Sequence, residues 1–399
     1  MSVLLDHLLP HMYRWEDVEI ISDAWEPFAT FLERCSRSRD RNTELEAKSL
    51  RRLSLIRTNA YVALESSQPS SKSNIFITPF ESTPALRCVE LAGVHLNWAR
   101  DIPRNLTELT LKYHARHVLP TAAQLVDIIN SSPRLETLSL HGWGIRSFED
   151  GSSRLEGQVS LKNIKSLSIG WIDALYCRRL LSLFLWHFPM LESITLEDVR
   201  NSLDPLSEQD SSCVLEYVAL RSLESDNKRR PLAAIELVLN SVYASLDSLQ
   251  HLMEALPHSR SLTLHNVNDL LLSFLDTLQD SKIDTWSFPE LSRVIVRTST
   301  SESEAKVQQI AHNLMTVSPR RVVLEVEDLL ELDGETESCE EDILENGSIY
   351  SFQHDTSSFC GDDLWIDPAA DETSNEEGML YAAAPYAFRD CVYTKSADL

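Results

Sequence analysis

Glycine is scarce in this sequence, with ten residues in 399. Phosphate-binding loops need several closely spaced glycines so that backbone N–H groups can surround the phosphate, and the chain has no such cluster. It also lacks a Gly-x-Ser-x-Gly nucleophile turn and a His-Glu-x-x-His zinc motif. The usual sequence signatures of nucleotide-dependent enzymes, serine hydrolases and metalloproteases are therefore missing. We expect a protein that is not an enzyme and that uses no cofactor.

Paired cysteines are missing as well. The seven cysteines are widely separated, and no two of them form a Cys-x-x-Cys motif. Neither a zinc site nor a disulfide framework is predicted, which favours reduced thiols. Two histidines three residues apart, His114 and His117, have no third ligand close to them in the sequence. We therefore expect no metal site.

Long apolar runs are also absent. The most apolar stretch, residues 180–191, is interrupted by His187 and Pro189 and is shorter than the roughly 20 residues that a bilayer helix needs. The first ten residues lack the basic n-region of a secretory signal. We expect no membrane partner and a cytoplasmic or nuclear location.

Basic side chains are few, with 36 Lys and Arg against 61 Asp and Glu and a net charge of −25. The imbalance lies mostly in residues 325–399, which hold 21 acidic and two basic side chains. The remainder has no basic stripe of the kind that attracts nucleic-acid phosphates. We therefore expect no nucleic-acid partner.

The chain does have a repeated pattern, in which an aliphatic residue is followed three and five positions later by two more. Two of the ten copies begin with a polar residue. The central residues are 20 to 44 positions apart, which overlaps the 20–29 residue period of leucine-rich repeats. We predict an irregular α/β leucine-rich-repeat solenoid, or horseshoe, with parallel strands on the concave face and helices on the convex face. The copies are Leu50/Leu53/Leu55, Leu86/Val89/Leu91, Leu106/Leu109/Leu111, Leu135/Leu138/Leu140, Ile164/Leu167/Ile169, Leu191/Ile194/Leu196, Leu215/Val218/Leu220, Ser259/Leu262/Leu264, Leu291/Val294/Val296 and Arg321/Leu324/Val326.

Three segments are predicted along the chain: an N-terminal cap at 1–49, about ten repeats at 50–326, and an acidic, aromatic-containing, largely disordered tail at 327–399. The cap should contain a strand at 15–21 and a helix at 26–35. Apolar residues at helical spacing predict further helices at 121–130, 173–188, 233–256, 269–278 and 302–315. The longest step between repeats contains either two helices or one degenerate repeat around Leu246, Leu249 and Leu252.

The tail leaves two interpretations open. Its carboxylates and scarcity of large apolar groups near the start favour a solvated, disordered segment. Its interspersed aromatic residues favour a segment that docks, either on a partner or on its own body. The basic residues that would receive it there are Arg293, Arg297, Arg320 and Arg321.

The variable positions within each repeat predict the binding surface. Because side chains alternate along a strand, the residues flanking the central aliphatic position face away from the core. Most of the residues between the second and third aliphatic positions are Ser or Thr. These hydroxyl side chains can simply stabilise the strands, or they can form a polar trough that binds an extended peptide or a partner surface. The candidate partner-binding residues are Glu108, Thr110, Lys112, Thr137, Ser139, His141, Ser166, Ser168, Ser193, Thr195, Glu197, Tyr217, Arg221, Arg293 and Arg297.

Several stretches of the first 330 or so residues resemble the leucine-rich-repeat portion of the fungal F-box-like protein family. They include Leu4 to His11 with Arg14 and Trp15, Leu53 to Leu55 with Asn59 to Tyr61, Leu86 to Trp98, Pro103 to Tyr113 and Ser131 to Leu138. The resemblance implies a protein-interaction module. In complete members an F-box binds the Skp adaptor of a cullin ubiquitin ligase, and the repeats are expected to hold the substrate.

One part of that family pattern is not found. An F-box is a helical segment with an early Leu-Pro-x-Glu, whereas here Leu9 and Pro10 are followed by His11 and Met12. We therefore predict that the adaptor-binding part is missing and that the partner is a protein of unknown identity. The combination of repeats with an acidic tail also resembles activators of the Ran GTPase, for which Arg52 would be a residue to test. That alternative is disfavoured by the irregular repeat spacing.

Overall fold

The computed structural model describes residues 2–41, 47–58, 83–94, 96, 98, 103–114, 119–142, 145, 157–185, 188–200, 210–224, 236–268, 274, 290–298 and 323–328. The chain divides into two units, Met1–Asp328 and Leu329–Leu399, and every described residue lies in the first. The predicted tail from Leu329 onward lies outside the described residues, so its character stays a prediction.

The described residues form a mixed α/β structure built on an open, parallel sheet of eleven strands. The strands follow one another in the sheet in the order in which they occur in the chain, and the sheet is not closed into a barrel. Two short strands, β6 and β8, form a separate parallel pair. The strands are β1 Asp17–Ser22, β2 Arg52–Arg57, β3 Cys88–Ala92, β4 Glu108–Lys112, β5 Thr137–His141, β6 Val159–Ser160, β7 Ser166–Asp173, β8 Phe184–Leu185, β9 Ser193–Arg200, β10 Glu236–Asn240, β11 Ser261–His265, β12 Arg293–Thr298 and β13 Val323–Asp328.

Helices occupy several of the connections between these strands, and side chains cap three of them. Thr121 and Gln124 form a reciprocal capping box at the start of α3, which satisfies two of the backbone N–H groups that a helix start leaves without partners. Asp173 caps α4 and Ser245 caps α6 in the simpler one-sided way. The helices are α1 Ser2–Leu8, α2 Glu26–Arg41, α3 Ala122–Asn130, α4 Ala174–Ser182, α5 Ser212–Glu224 and α6 Leu246–Ala255, with a 3-10 helix at Leu9–Arg14.

The core lies on one side of the sheet, between the strands and the helices. The central and third aliphatic residues of the repeats, such as Leu109 and Leu111, are almost fully buried in one hydrophobic cluster with helix residues such as Leu125 and Leu180. Burial of one leucine side chain contributes roughly 1.5–3 kcal/mol. The repeated pattern therefore supplies the main stabilising interaction of each strand.

A recurring turn precedes many of the strands. The N–H of the first repeat residue donates to the carbonyl three positions earlier, as from Leu86 to Thr83 at 3.1 Å and from Leu135 to Ser132 at 3.0 Å. Proline follows the accepting residue in both turns and presets the φ angle that a turn needs there. The same hydrogen bond occurs before the strands that follow Leu50, Ile164, Leu191 and Ser259.

A second recurring turn follows the strands. Tyr113 and Gly142, each the first residue after a strand, have positive φ angles and donate their N–H groups to a carbonyl of the next strand, that of His141 at 3.0 Å and that of Gly170 at 2.8 Å. The left-handed backbone reverses the chain while it extends the inter-strand ladder by one hydrogen bond. Gly93, Ser241 and Asn266 do the same.

Nine of the ten predicted repeats lie on strands of this sheet, and the seventh does not. Leu215 and Val218 belong to α5, where Val214 and Ala219 complete the buried face, and Leu220 is exposed. A spacing of three is common to the repeat and to one face of a helix, so the pattern alone does not separate the two. The strand that occupies this place in the sheet is β10, which the repeat pattern did not identify and which buries Leu237 and Leu239.

The predicted helix at 233–256 is therefore wrong in its first half. Its second half is α6, which contains Leu246, Leu249 and Leu252. Beyond α5, the described part of the long connection holds the strand β10 followed by the helix α6, which neither of the two sequence interpretations described. The cap strand and the helices predicted at 26–35, 121–130 and 173–188 are confirmed with shifted ends. The helix predicted at 302–315 lies outside the described residues, and of the one at 269–278 only Phe274 is described.

Candidate functional site

The side of the sheet that faces away from the core carries three rows of side chains, here called the outer face. The parallel pairing brings equivalent residues of successive strands into register. The first row is Arg52, Cys88, Glu108, Thr137, Ser166, Ser193, Glu236, Ser261, Arg293 and Val323. The middle row is Ser54, Glu90, Thr110, Ser139, Ser168, Thr195, Val238, Thr263 and Ile295. The last row is Ala92, Lys112, His141, Gly170, Glu197, Asn240, His265 and Arg297.

The structure places thirteen of the fifteen candidate residues on these rows. The two others, Tyr217 and Arg221, lie on helix α5 and so belong to a different surface. Their misplacement follows directly from the assignment of Leu215 to Leu220 as a repeat strand. Within the rows, the middle residues are the least accessible, because Ser54, Ser139 and Thr263 are covered by the side chains around them.

Glu90 of β3 contacts polar and charged side chains of the two neighbouring strands, β2 and β4. One oxygen, Oε2, accepts a hydrogen bond from Ser54 Oγ at 3.1 Å and lies 3.6 Å from the guanidinium of Arg52. The other, Oε1, lies 3.8 Å from Lys112 Nζ. Glu90 is only 15% exposed, so two cations from the strands on either side balance the charge of a largely buried carboxylate. We call these four residues the Glu90 cluster.

A second group, the His141 cluster, spans four neighbouring strands, β5, β7, β9 and β10. His141 Nε2 lies 2.9 Å from Ser168 Oγ, and His141 Nδ1 lies 3.6 Å from Glu197 Oε2. Asn240 Nδ2 donates to the other Glu197 oxygen at 3.1 Å. The group is buried on the His141 side, where the ring is 7% exposed. These contacts join side chains that are up to 99 positions apart in the sequence, from 141 to 240.

Gly170 makes the His141 cluster possible. It stands between His141 and Glu197 in the last row, and it has no side chain to separate them. A Cβ added at this position would lie 2.7 Å from Glu197 Cβ and 2.8 Å from the Glu197 carbonyl oxygen. Both distances are shorter than van der Waals contact, so Glu197 reaches over Gly170 towards the imidazole only because this position is glycine.

The His141 ring is neutral at physiological pH. Burial lowers its pKa to about 3, and the neighbouring positive charge of Lys112 acts in the same direction. With Glu197 beside Nδ1, the favourable tautomer carries its proton on Nδ1 and accepts the Ser168 hydroxyl hydrogen at Nε2. Nδ1 itself makes no hydrogen bond within 3.5 Å.

Ser168, His141 and Glu197 thus have the order of groups found in serine hydrolases, but the chemistry of the site argues against that use. A general base works best with a pKa near the operating pH, and each unit below that costs about 1.4 kcal/mol. The pKa of His141, about 3, makes its ring a weak proton acceptor. Ser168 also lies within a paired strand, flanked by β5 and β9, so its backbone N–H belongs to the sheet ladder and does not form an oxyanion hole.

A second buried histidine has a structural role at a turn. His114 Nε2 lies 3.0 Å from the carbonyl oxygen of Val94, and burial lowers the pKa of His114 to about 4. The imidazole therefore satisfies a backbone carbonyl that would otherwise be buried without a partner at this turn. His117 lies outside the described residues, and no group of three His, Cys, Asp or Glu in the described part is arranged to hold a metal.

Sequence reasoning did not include Glu90, Gly170 and Asn240 among the candidate residues, and it named Arg52 only for the GTPase-activator alternative. Arg52 and Glu90 occupy recognised variable positions, and aligning the repeats in register would have placed Glu90 between Arg52 and Lys112. Asn240 was missed because its strand was assigned to a helix. Gly170 had a signal of its own, since it is the single glycine in the last row.

None of the helices in the described ranges has both the length and the apolarity that a membrane crossing requires. No family model matches the chain, and no curated protein matches it either.

Proposed function

We propose that this protein is a non-enzymatic leucine-rich-repeat scaffold that binds a protein partner on the outer face of its sheet. The observation that carries the proposal is the preorganised polar surface made by the Glu90 and His141 clusters. Their charged side chains are held by cross-strand contacts before any partner arrives. A surface that is ordered in advance loses less side-chain entropy on binding.

The dimensions of the outer face favour a macromolecular partner. Strands in a sheet lie about 4.8 Å apart, so the rows from β2 to β12 extend over roughly 40 Å. That length suits a protein surface or an extended peptide better than a small molecule, which needs a concave pocket. Positive and negative side chains alternate along the last row, from Lys112 through Glu197 to Arg297. Such alternation selects among partners more than it adds affinity.

The resemblance to F-box-like proteins supports a narrower version of the proposal, in which the bound protein is a ubiquitin-ligase substrate. It is tested separately, by mixing the full chain with a purified Skp adaptor and measuring complex formation by gel filtration. A stoichiometric complex would support the substrate-receptor role. Absence of a complex would leave a scaffold that works without this adaptor.

The main test uses a charge reversal on the outer face. Glu108 is an exposed residue of the first row, so Glu108→Lys should alter the face without disturbing the core. Affinity purification of the full chain from a native extract would identify proteins that are retained by the parent chain, and each would then be purified and its dissociation constant measured. We expect Glu108→Lys to weaken binding at least tenfold.

The matched control is Glu254→Lys, the same change at an exposed position of helix α6. It should leave binding within about twofold of the parent chain, since surface substitutions away from an interface have small effects. Equal binding by the parent chain and Glu108→Lys for every purified partner would contradict the proposal. Equal weakening by both variants would point to the overall charge instead of the outer face.

A further inference from the structure

The first strand of the sheet pairs on one of its two edges only. Among the described strands, β1 has β2 as its single neighbour. The carbonyl oxygens of Glu16 and Ser22 accept the N–H groups of Arg52 and Thr58, at 3.1 and 3.0 Å. Backbone groups of successive strand residues point in opposite directions, so the even-numbered residues of β1 pair with β2 and the odd-numbered ones point the other way.

The odd-numbered residues of β1 are Asp17, Glu19 and Ile21, and we call the side to which their backbone groups point the free edge. It presents three N–H donors and three C=O acceptors. None of these groups has a backbone hydrogen bond to another described residue. Such an edge is a template on which a further strand can pair.

The two sides of β1 differ in chemistry in the way that the rest of the sheet does. Asp17, Glu19 and Ile21 are exposed on the outer side, and Ile21 is 58% exposed. Val18 and Ile20 lie opposite buried leucines of β2 and pack, half-buried, against the end of the hydrophobic core. A strand added at the free edge would therefore have carboxylates next to one of its sides and the end of the core next to the other.

The charge at the free edge is negative. Residues 16–23 include four acidic side chains and no basic one. Neither Asp17 nor Glu19 forms an ion pair with another side chain in the described part of the chain. Arg52 is opposite Asp17 in the register, but it lies on the β2 side and is 3.6 Å from Glu90. Because opposite charges on neighbouring strands are stabilising, the free edge favours a strand with basic side chains on its outer side.

A second copy of the chain does not fit this edge. Two β1 strands could pair antiparallel with their outer sides on the same face, centred at any residue from Val18 to Ile21. Each of these registers places one carboxylate opposite another, as with Glu19 opposite itself or Asp17 opposite Asp23. Like charges in directly opposite positions are destabilising, and a net charge of −25 opposes association of copies in general.

We propose that the free edge of β1 binds an extended segment of a partner protein, which adds a twelfth strand to the eleven-stranded sheet. The segment alternates basic and apolar residues. Its basic side chains pair with Asp17 and Glu19 on the outer side, and its apolar side chains cover Val18 and Ile20 at the end of the core. Main-chain hydrogen bonds supply the affinity and the alternating side chains supply the specificity, as in other cases of strand addition.

The test uses the full chain and a defined probe. The probe is a fluorescent peptide of alternating lysine and valine, about eight residues long so that it spans β1. A second peptide has glutamate in place of every lysine. Fluorescence anisotropy should show saturable binding of the lysine peptide and no binding of the glutamate peptide at the same concentrations. Equal binding of the two would overturn the proposal.

Two further probes separate strand addition from simple charge attraction. One lysine peptide is N-methylated at its lysine nitrogens and the other at its valine nitrogens. Only alternate N–H groups of an added strand face β1, so one of the two should bind like the parent peptide and the other should not bind. Equal binding of both methylated peptides and the parent peptide would overturn the proposal, since charge attraction does not depend on the peptide N–H groups.

A charge reversal locates the site on the protein. Asp17→Lys combined with Glu19→Lys should weaken binding of the lysine peptide at least about tenfold, because attraction becomes repulsion. The matched control, Asp127→Lys combined with Glu254→Lys, makes the same change of charge at exposed positions of α3 and α6. It should stay within about twofold of the parent chain. Unchanged binding by the first variant, which would move the site to another edge such as β13, or equal weakening by the control would overturn the proposal.

A backbone change tests the hydrogen bonds of the edge. Ile21→Pro removes an N–H group that points to the free edge and leaves the hydrogen bonds to β2, and proline is tolerated at such positions of edge strands. It should weaken binding at least about tenfold, whereas Ile21→Thr, which keeps the N–H group, should weaken it less than about threefold. Equal binding by the two variants would overturn the proposal. Circular dichroism checks that each variant is folded, and the methylated peptides test the same hydrogen bonds without altering the protein.

The outcome can be told apart from that of the proposed scaffold function. Glu108 lies in β4, three strands from β1 and so about 14 Å away, which exceeds the screening length of roughly 8 Å at physiological salt. Glu108→Lys should therefore change binding of the lysine peptide less than about twofold. Loss of peptide binding in this variant would contradict a site confined to the free edge.

Discussion

The two sides of the sheet are stabilised by different kinds of interaction, although residues of the two sides alternate along every strand. On the core side, Leu109 and its equivalents are chemically alike and are held by burial, which has no preferred direction. On the outer face, Glu90 and His141 each depend on specific neighbours at specific distances. The core side therefore tolerates one aliphatic residue for another, while the outer face depends on which residue lies opposite which. The predictions below test that contrast.

The largest effect is expected from two adjacent residues of β4. Leu109→Ala should lower the free energy of unfolding by roughly 2–5 kcal/mol, because it removes buried methyl groups and leaves a cavity. Thr110→Ala, on the other side of the same strand, should cost about 1 kcal/mol or less. Urea denaturation of both variants measures the difference. Similar costs for the two would show that the outer face is as tightly packed as the core.

The close approach at Gly170 should give the next largest effect. Gly170→Ala forces a methyl group against Glu197 Cβ and the Glu197 carbonyl, and overpacking of this kind costs roughly 1–3 kcal/mol. Ser166→Ala, four residues earlier on the same face of β7, should stay within about 0.5 kcal/mol of the parent chain. Thermal unfolding monitored by circular dichroism compares them. Unchanged stability of Gly170→Ala would mean that Glu197 does not need to reach over this position.

Acid should destabilise the protein through its two buried histidines. The pKa of His141 is lowered to about 3 and that of His114 to about 4, while an unfolded histidine has a pKa near 6.5. Below about pH 6.5 the unfolded chain therefore binds protons that the folded chain does not. Each histidine then removes up to about 1.4 kcal/mol of stability per pH unit, whereas above pH 6.5 its contribution is fully present.

His141→Gln separates this contribution from that of other groups, since glutamine does not titrate. Urea denaturation at a series of pH values should show a shallower loss of stability on the acid side in the variant, by up to about 1.4 kcal/mol per pH unit. His114 remains as an internal control for the remaining slope. Parallel curves for the variant and the parent chain would contradict a neutral, buried His141.

The smallest effect is expected at Glu90. Glu90→Gln removes the charge that Arg52 and Lys112 share and keeps the size of the side chain. Because both cations are partly exposed, solvent screens the loss, and the cost should be about 1 kcal/mol or less. Urea denaturation in low and high salt tests this, since the difference between variant and parent should shrink as salt increases. A difference that does not depend on salt would indicate a packing effect instead.

Much of the sheet could be predicted from the aliphatic pattern, and the failure at Leu215 shows where that method stops. A spacing of three residues serves both a repeat strand and a helix, so hydrophobicity cannot choose between them. The residues of the turn before the strand would have separated the two, because several true repeats have a proline there. Proline stands two positions before Leu86, Leu135 and Leu191, whereas Cys213 stands two positions before Leu215.

The outer face was predictable as a set of residues but not as a set of contacts. The variable positions identified thirteen residues that lie in the three rows, because alternation along a strand decides which side a residue occupies. The pairing of His141 with Ser168 and its approach to Glu197 depend on the register between strands that are 27 to 29 residues apart. The lengths of the connecting loops set how far apart these residues are in the chain, so the sequence spacing does not reveal which of them are in contact.

By itself, the sequence determined that aliphatic residues at short, repeated spacing would line one side of a parallel sheet, because burying them is favourable in almost any arrangement of the connecting loops. It also determined the uneven charge along the chain. The tertiary structure alone decided that Leu215 to Leu220 is helical, that Glu197 passes over Gly170, and that Tyr217 lies between two arginines on the opposite side. Those features depend on directional contacts between residues from separate elements, and such contacts exist only once the strands and helices have been brought into place.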